Sequence, residues 1–307
     1  MNKESFVKEL GHFSNLTTTM AESDKFSVNG GLLFYGDKVM SDEAISSVAS
    51  WIGANKKFIE DCPPDLQITI LDRLLFKNSV PKVVANNDMV MAFTDPHSLI
   101  INPEKMVESL EKTVDIADFE RLYPTKGGYE LYLVGEREQS VIVGDVVRGG
   151  AHIAFSPMGI FNPEVVGYVQ RLVCTNGAVR NNTFSRYSYK HGDIYDWIAN
   201  TVNIAVSGVD EEVERYRKMR ELPLNGNTIS VLNHLLESIP KKFHKMIQDL
   251  VMQKHPANIY ELMNIVTEVA SHRIDDARQI YATMASQSNL GDDLEFCSSC
   301  HQLLNAN

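Results

Sequence analysis

Between Arg148 and His191 the chain carries Arg148, Arg171, Arg180, Arg186 and Lys190 against a single acid, Glu164, so the stretch has a charge of +4 in a protein whose net charge is −11. Its densest part, Arg180-Asn-Asn-Thr-Phe-Ser-Arg-Tyr-Ser-Tyr-Lys-His191, sets Phe184, Tyr187 and Tyr189 among cations and holds no carboxylate. Cationic side chains neutralise phosphates, and aromatic faces stack on bases whatever their identity. The chemistry open to this pattern is capture of a polynucleotide. Arg148, Arg171, Arg180, Arg186 and Lys190 would take phosphates, and Phe184, Tyr187 and Tyr189 would stack on exposed bases. The same residues also fit a solvated strand and loop that merely lack acids. For Arg171, a buried ion pair competes with a phosphate contact.

Other reactive residue types form less complete sets. Cys297-Ser-Ser-Cys300-His301 has the spacing of c-type haem attachment, a chemistry that follows export, and Met1-Asn-Lys-Glu-Ser-Phe does not resemble a signal peptide. Cys297, Cys300 and His301 could instead supply two or three ligands to a structural zinc, which wants four, and Cys62 and His272 are single and distant in sequence. The expectation is therefore no cofactor, with that trio as the residues a zinc would use. Cys174 is expected to be a small buried hydrophobe; as a nucleophile it would need His152 or His191 beside it. Gly-x-Ser-x-Gly, His-Glu-x-x-His and Walker lysine loops are absent from the sequence. Asp115, Asp118 and Glu120, around a helix end, and the Asp275-Asp276 pair could each hold Mg²⁺, but such groupings arise by chance among 40 acids. The sequence argues against an enzyme more than for one.

Composition bounds the answer further. A chain of 307 residues with 44% hydrophobic and 22% charged residues can bury a substantial core. No apolar run is long enough to span a bilayer, and four cysteines do not make a disulfide scaffold, so a soluble protein of a reducing cytoplasm is expected. The acidic balance, with a pI near 5.3, argues against general duplex binding through a broad basic field. Any contact with DNA or RNA must be local.

The elements that have to position these residues are legible in outline. Ser41 is a predicted N-cap for a helix whose stripe is Ile45, Val48, Ala49 and Ile52, ended by Gly53. A second helix opens after Pro63-Pro64, and a third spans Pro103 to Val114. Lys82-Val-Val-Ala and Met89-Val-Met-Ala-Phe bracket Asn86-Asn-Asp88 as a hairpin. Strands are expected at Gly128–Val134, Ser140–Val143, His152–Phe155 and Val165–Cys174. Alternation places Arg148 and His152 on one sheet face unless Gly149-Gly150 forms a bulge that rotates the register. From about Asp193 the pattern is helical, with apolar stripes ended by Pro240 and Pro256. The expected fold is α+β: a mixed, mainly antiparallel sheet with flanking helices, followed by a C-terminal helical part. The expected organisation is an α+β domain over 1–192, a helical region over 193–290 packed on it, and a tail over 291–307.

Gly144-Asp-Val-Val-Arg-Gly-Gly, Arg171-Leu-Val-Cys-Thr-Asn-Gly177 and Asn264-Ile-Val-Thr-Glu-Val-Ala-Ser271 occur in an order that resembles the phage/plasmid-like family, a domain of unknown function found on bacteriophages and plasmids. The run Ala44 to Leu75 is similar to that family's N-terminal helices. The resemblance implies a mobile-element protein in the cytoplasm of a bacterial host, encoded near DNA-processing genes, and supplies no catalytic residues. Joined to the cationic strip, it leads to an expected role in single-stranded nucleic-acid binding or annealing during replication or recombination, in a possible homo-oligomer. Two alternatives remain open: an interaction protein that binds a host or virion protein, as a host-defence inhibitor or structural factor, and a metal-dependent nuclease.

Overall fold

A computed structural model describes residues 3–77, 79–113, 116–142, 145–172, 179–224, 228–236 and 241–272. The chain opens with α1 (Lys3–Leu10), then four short strands, β1 (Thr17–Met20), β2 (Phe26–Asn29), β3 (Leu32–Tyr35) and β4 (Lys38–Met40). Three helices follow: α2 (Asp42–Trp51), α3 (Lys56–Asp61) and α4 (Pro64–Leu74). The hairpin β5 (Lys82–Ala85) and β6 (Met89–Thr94) leads to α5 (Pro103–Thr113). Next come the longer strands β7 (Ile116–Thr125), β8 (Gly128–Ile142), β9 (Asp145–Phe155), β10 (Glu164–Leu172) and β11 (Val179–Ser188). Helices α6 (Ile194–Ser207), α7 (Val209–Glu221), α8 (Thr228–Leu236), α9 (His244–Lys254) and α10 (Ile259–His272) complete the described chain. The fold is α+β with mixed, mainly antiparallel sheets and a helical C-terminal part.

One sheet has the order β1-β5-β6-β4-β3-β2. Its pairs are antiparallel except β4 with β6, which run parallel because α2, α3, α4 and β5 intervene between them. Ser41 caps α2 as its sequence predicts: its Oγ accepts from the Ala44 N–H at 3.1 Å, while its own N–H donates to Val90 O at 2.9 Å. The cap thus fixes the helix start against β6. The Asn86-Asn-Asp88 turn forms as expected, with the Asn86 side chain accepting from the Asp88 and Met89 N–H groups. Phe26, Leu33, Met40, Val48, Leu71 and Phe93 belong to the core between this sheet and its helices.

The second sheet runs β11-β10-β9-β8-β7, each strand beside its neighbour in sequence. It corrects the expected strand lengths. Gly128–Val134 and Ser140–Val143 are not separate strands, because β8 stays extended through Glu136, Arg137, Glu138 and Gln139. A strand with ladder partners on both sides can hold a polar run extended. β9 likewise begins at Asp145 rather than His152. Asp118 and Glu120, expected around a helix end, belong to β7 instead.

Two compact units are present. The first takes Met1–Leu133, Ile153–Val165 and Tyr187–Thr201; the second takes Val134–His152, Val166–Arg186 and the chain from Val202. Residue 192, expected as a domain boundary from the change in composition, falls inside the third segment of the first unit. In the second unit, Leu232, Phe243, Ile247, Leu250, Leu262 and Val266 form a helical core. Val147 and Val169 of the sheet pack in a separate cluster with Val209 and Val213 of α7 and Tyr260 of α10. None of the described helices is long and apolar enough to cross a membrane.

Candidate nucleic-acid interface

The residues of the expected strip fall in both units. Arg148, Arg171, Arg180, Phe184 and Arg186 belong to the second, and Tyr187, Tyr189 and Lys190 to the first. Arg171 is in β10, and Arg180 and Phe184 are in β11, but their side chains lie outside the described part of the structure, as do Cys174, Asp275, Asp276, Cys297, Cys300 and His301 altogether.

In the second unit, β9 carries Arg148. Val147, Gly149, Ala151, Ile153 and Phe155 are buried, while Val146, Arg148, His152 and Ala154 are half-buried; Gly150, on the second face, is buried beneath the Tyr168 ring. The period of two runs straight through Gly149-Gly150, so Arg148 does share a face with His152. The two glycines serve close packing. A Cβ on Gly149 would overlap the Val206 carbonyl oxygen of α6, and one on Gly150 would overlap the Tyr168 ring. The strand is smooth because α6 and a tyrosine ring each lie directly on its backbone.

Arg148 is engaged across the β8–β9 hairpin. Its Nε donates to Glu138 Oε1 at 3.1 Å, and a second guanidinium nitrogen donates to the same oxygen. The side chains keep 33% and 50% of their exposure, so the pair is partly wet, but its positive charge is already balanced. Two more arginines fasten α7 to β8: Arg137 pairs with Asp210 at 2.8 Å, and Arg217 donates to Ser140 O at 2.9 Å. Arg186 is exposed on β11, the outermost strand of its sheet.

In the first unit, Lys190 and His191 are exposed while Tyr187 and Tyr189 are half-buried. Tyr189 has structural work: its hydroxyl donates to Gly192 O at 2.6 Å, and its ring meets Trp197 edge-on at 5.4 Å. Its N–H donates to Pro163 O at 3.2 Å. Asp193 then caps α6, its Oδ1 accepting from the N–H groups of Tyr195 and Asp196. The Tyr195 hydroxyl accepts from the Asn102 N–H at 3.0 Å and its pKa is raised, mainly by burial. These bonds hold Lys190 on a defined turn rather than on a loose loop. They also commit the Tyr189 ring to Trp197, which counts against its use as a stacking platform.

Sequence reasoning missed two features. The first is a groove of about 550 Å³ in the first unit, where the start of α2 meets the β7–β8 turn. Asp42, Glu43, Asp95 and Lys126 line it, with Trp51 and Ile160 as apolar walls. The buried Ser156 shapes its rim, its Oγ donating to Gly127 O at 2.7 Å and accepting from the Ile160 N–H at 3.0 Å. No motif signals this groove, since its residues come from four separate stretches. The second is a lysine-rich segment at the start of α9, with Lys241, Lys242 and Lys245 exposed. A charge count along the sequence could have found it. Among the described residues, no three His, Cys, Asp or Glu side chains gather as a metal site.

No protein-family model, curated protein or solved structure matches this chain.

Proposed function

We propose that the protein binds single-stranded nucleic acid through the cationic strip that ends in β11, as an annealing or protecting factor in replication or recombination. The observation that carries the reading is Arg186, exposed on the outermost strand of its sheet, in a run of sequence without a carboxylate. Lys190, exposed on its bonded turn in the first unit, adds a second accessible cation. Arg171, Arg180 and Phe184 enter through sequence alone. Arg148 contributes less, because Glu138 already neutralises it. The setting, a phage or plasmid in a bacterial cytoplasm, comes from the resemblance described above.

The test is an anisotropy titration of a labelled oligonucleotide over a range of salt. Binding should weaken steeply as salt rises. Each phosphate contact contributes a slope of about −0.7 for a single strand, so R186A/K190A should flatten the plot by roughly 1.4. Circular dichroism and melting confirm that the variant is folded. A flat salt response in the wild-type protein would overturn the reading.

The Arg148–Glu138 pair favours a second reading, in which the acidic molecule engages a protein partner. The same titration separates the two, because a protein dedicated to such a partner would not bind the oligonucleotide.

A further inference from the structure

The segment Lys241–His255 holds four lysines and two histidines against one acid, Asp249, in a chain whose net charge is −11. A short 3-10 turn, Lys241–Phe243, leads it into α9. Phe243 is buried in the helical core of the second unit, and the Lys242 ammonium lies 4.7 Å from the centre of its ring. A cation over a ring face is held by the ring quadrupole, so this charge is displayed from a fixed base. Lys245, Asp249 and Gln253 follow at four-residue intervals on one side of α9, and Lys242, in the turn before the helix, lines the same groove. Met246 and Leu250 stand between them, and together they border a groove of about 400 Å³. Lys241 and Lys245 are exposed.

We infer that this groove receives a stretch of nucleic-acid backbone, with Lys242 and Lys245 against phosphates and the half-buried Met246 beneath a sugar. The inference rests on the proposed function and gives the same polyanion a second station on the second unit, distinct from Arg186. Charge complementarity selects the occupant: lysines act as point charges toward phosphate without reading sequence, as strand binding requires. Asp249, one turn beyond Lys245, limits the contact to the Lys242 end of the groove.

The test compares the wild-type protein with K242A/K245A and with the charge-keeping K242R/K245R, all titrated with a labelled single-stranded oligonucleotide from low to moderate salt. The alanine pair should flatten the salt dependence by about 1.4 in slope, two contacts at roughly 0.7 each, and the arginine pair should restore it. Circular dichroism and melting confirm that each variant is folded. If the wild type binds and K242A/K245A binds with the same slope, this groove is not a contact and the inference falls while the proposed function stands. If the wild type does not bind at any salt, both fall. If it ignores the oligonucleotide but binds polyglutamate through Lys242 and Lys245, the groove belongs to an acidic polypeptide instead.

Discussion

Asp72 shows how far a single side chain can depart from what its neighbours in sequence suggest. It sits on α4, yet the groups that act on its charge, the Asp24 carboxylate and the backbone N–H groups of Asp24 and Phe26, lie at the entry to β2. Asp24 adopts a left-handed φ of +55°. Burial pushes the Asp72 carboxyl above its usual value of 3.8 and the Asp24 charge adds to this, while the two N–H donors pull it back. A carboxyl whose pKa is higher folded than unfolded costs stability when ionised. That cost is absent below the unfolded value, grows as pH rises toward the folded one, and is fully present at neutral pH. Asp72→Asn keeps an acceptor oxygen and removes the charge. It should therefore raise the melting temperature at pH 7.5, with the gain fading as pH falls below about 4. Melts at both pH values check this, and a variant less stable at pH 7.5 would refute it. Sequence alone revealed the Ser41 cap, because its partner is three residues away. It did not reveal the burial of Asp72 or the Arg148–Glu138 pair, because both arise only once strands and helices have been brought together.

At the scale of elements, the glycine pair of β9 decides how closely α6 approaches its sheet. Gly149→Ala should destabilise the protein by about 3 kcal/mol, since a methyl group there meets backbone rather than a side chain that could turn aside. Gly11→Ala, where a Cβ meets nothing within 4 Å and φ is not positive, is the matched control and should leave the denaturation midpoint nearly unchanged. Equal effects of the two substitutions in chemical denaturation would disprove the packing argument. The sequence allowed either a bulge or a straight strand at Gly149-Gly150, and local propensity could not choose, because the deciding groups are Val206 and Tyr168. The split of β8 into two expected strands has the same origin. Glu136 to Gln139 looks like a turn when only adjacent residues are weighed, and extends because β7 and β9 flank it. Helices α8 and α9 were easier to foresee, since an apolar stripe followed by proline is a local signal.

Over the whole molecule, a change in composition near residue 192 marks where strands give way to helices, but each compact unit gathers segments that are far apart in the chain. Net charge, by contrast, is fully legible in the sequence, and it makes a prediction of its own. At pH 7 the protein carries −11, so under the proposed function a polynucleotide approaching Arg186 and Lys190 would cross a repulsive field set by the remaining surface. As pH falls from 8 toward the pI of 5.3 that field weakens, while guanidinium and ammonium groups keep their charge. Affinity for a single-stranded oligonucleotide should therefore rise between pH 8 and pH 6. The rise should be large at about 0.01 M salt, where the screening length is near 30 Å, and much smaller at about 0.15 M, where it is near 8 Å. Titrations at fixed ionic strength and varied pH measure both trends. A pH dependence of the same size at both salt concentrations would trace the effect to a titrating group within the interface rather than to the distant acidic surface.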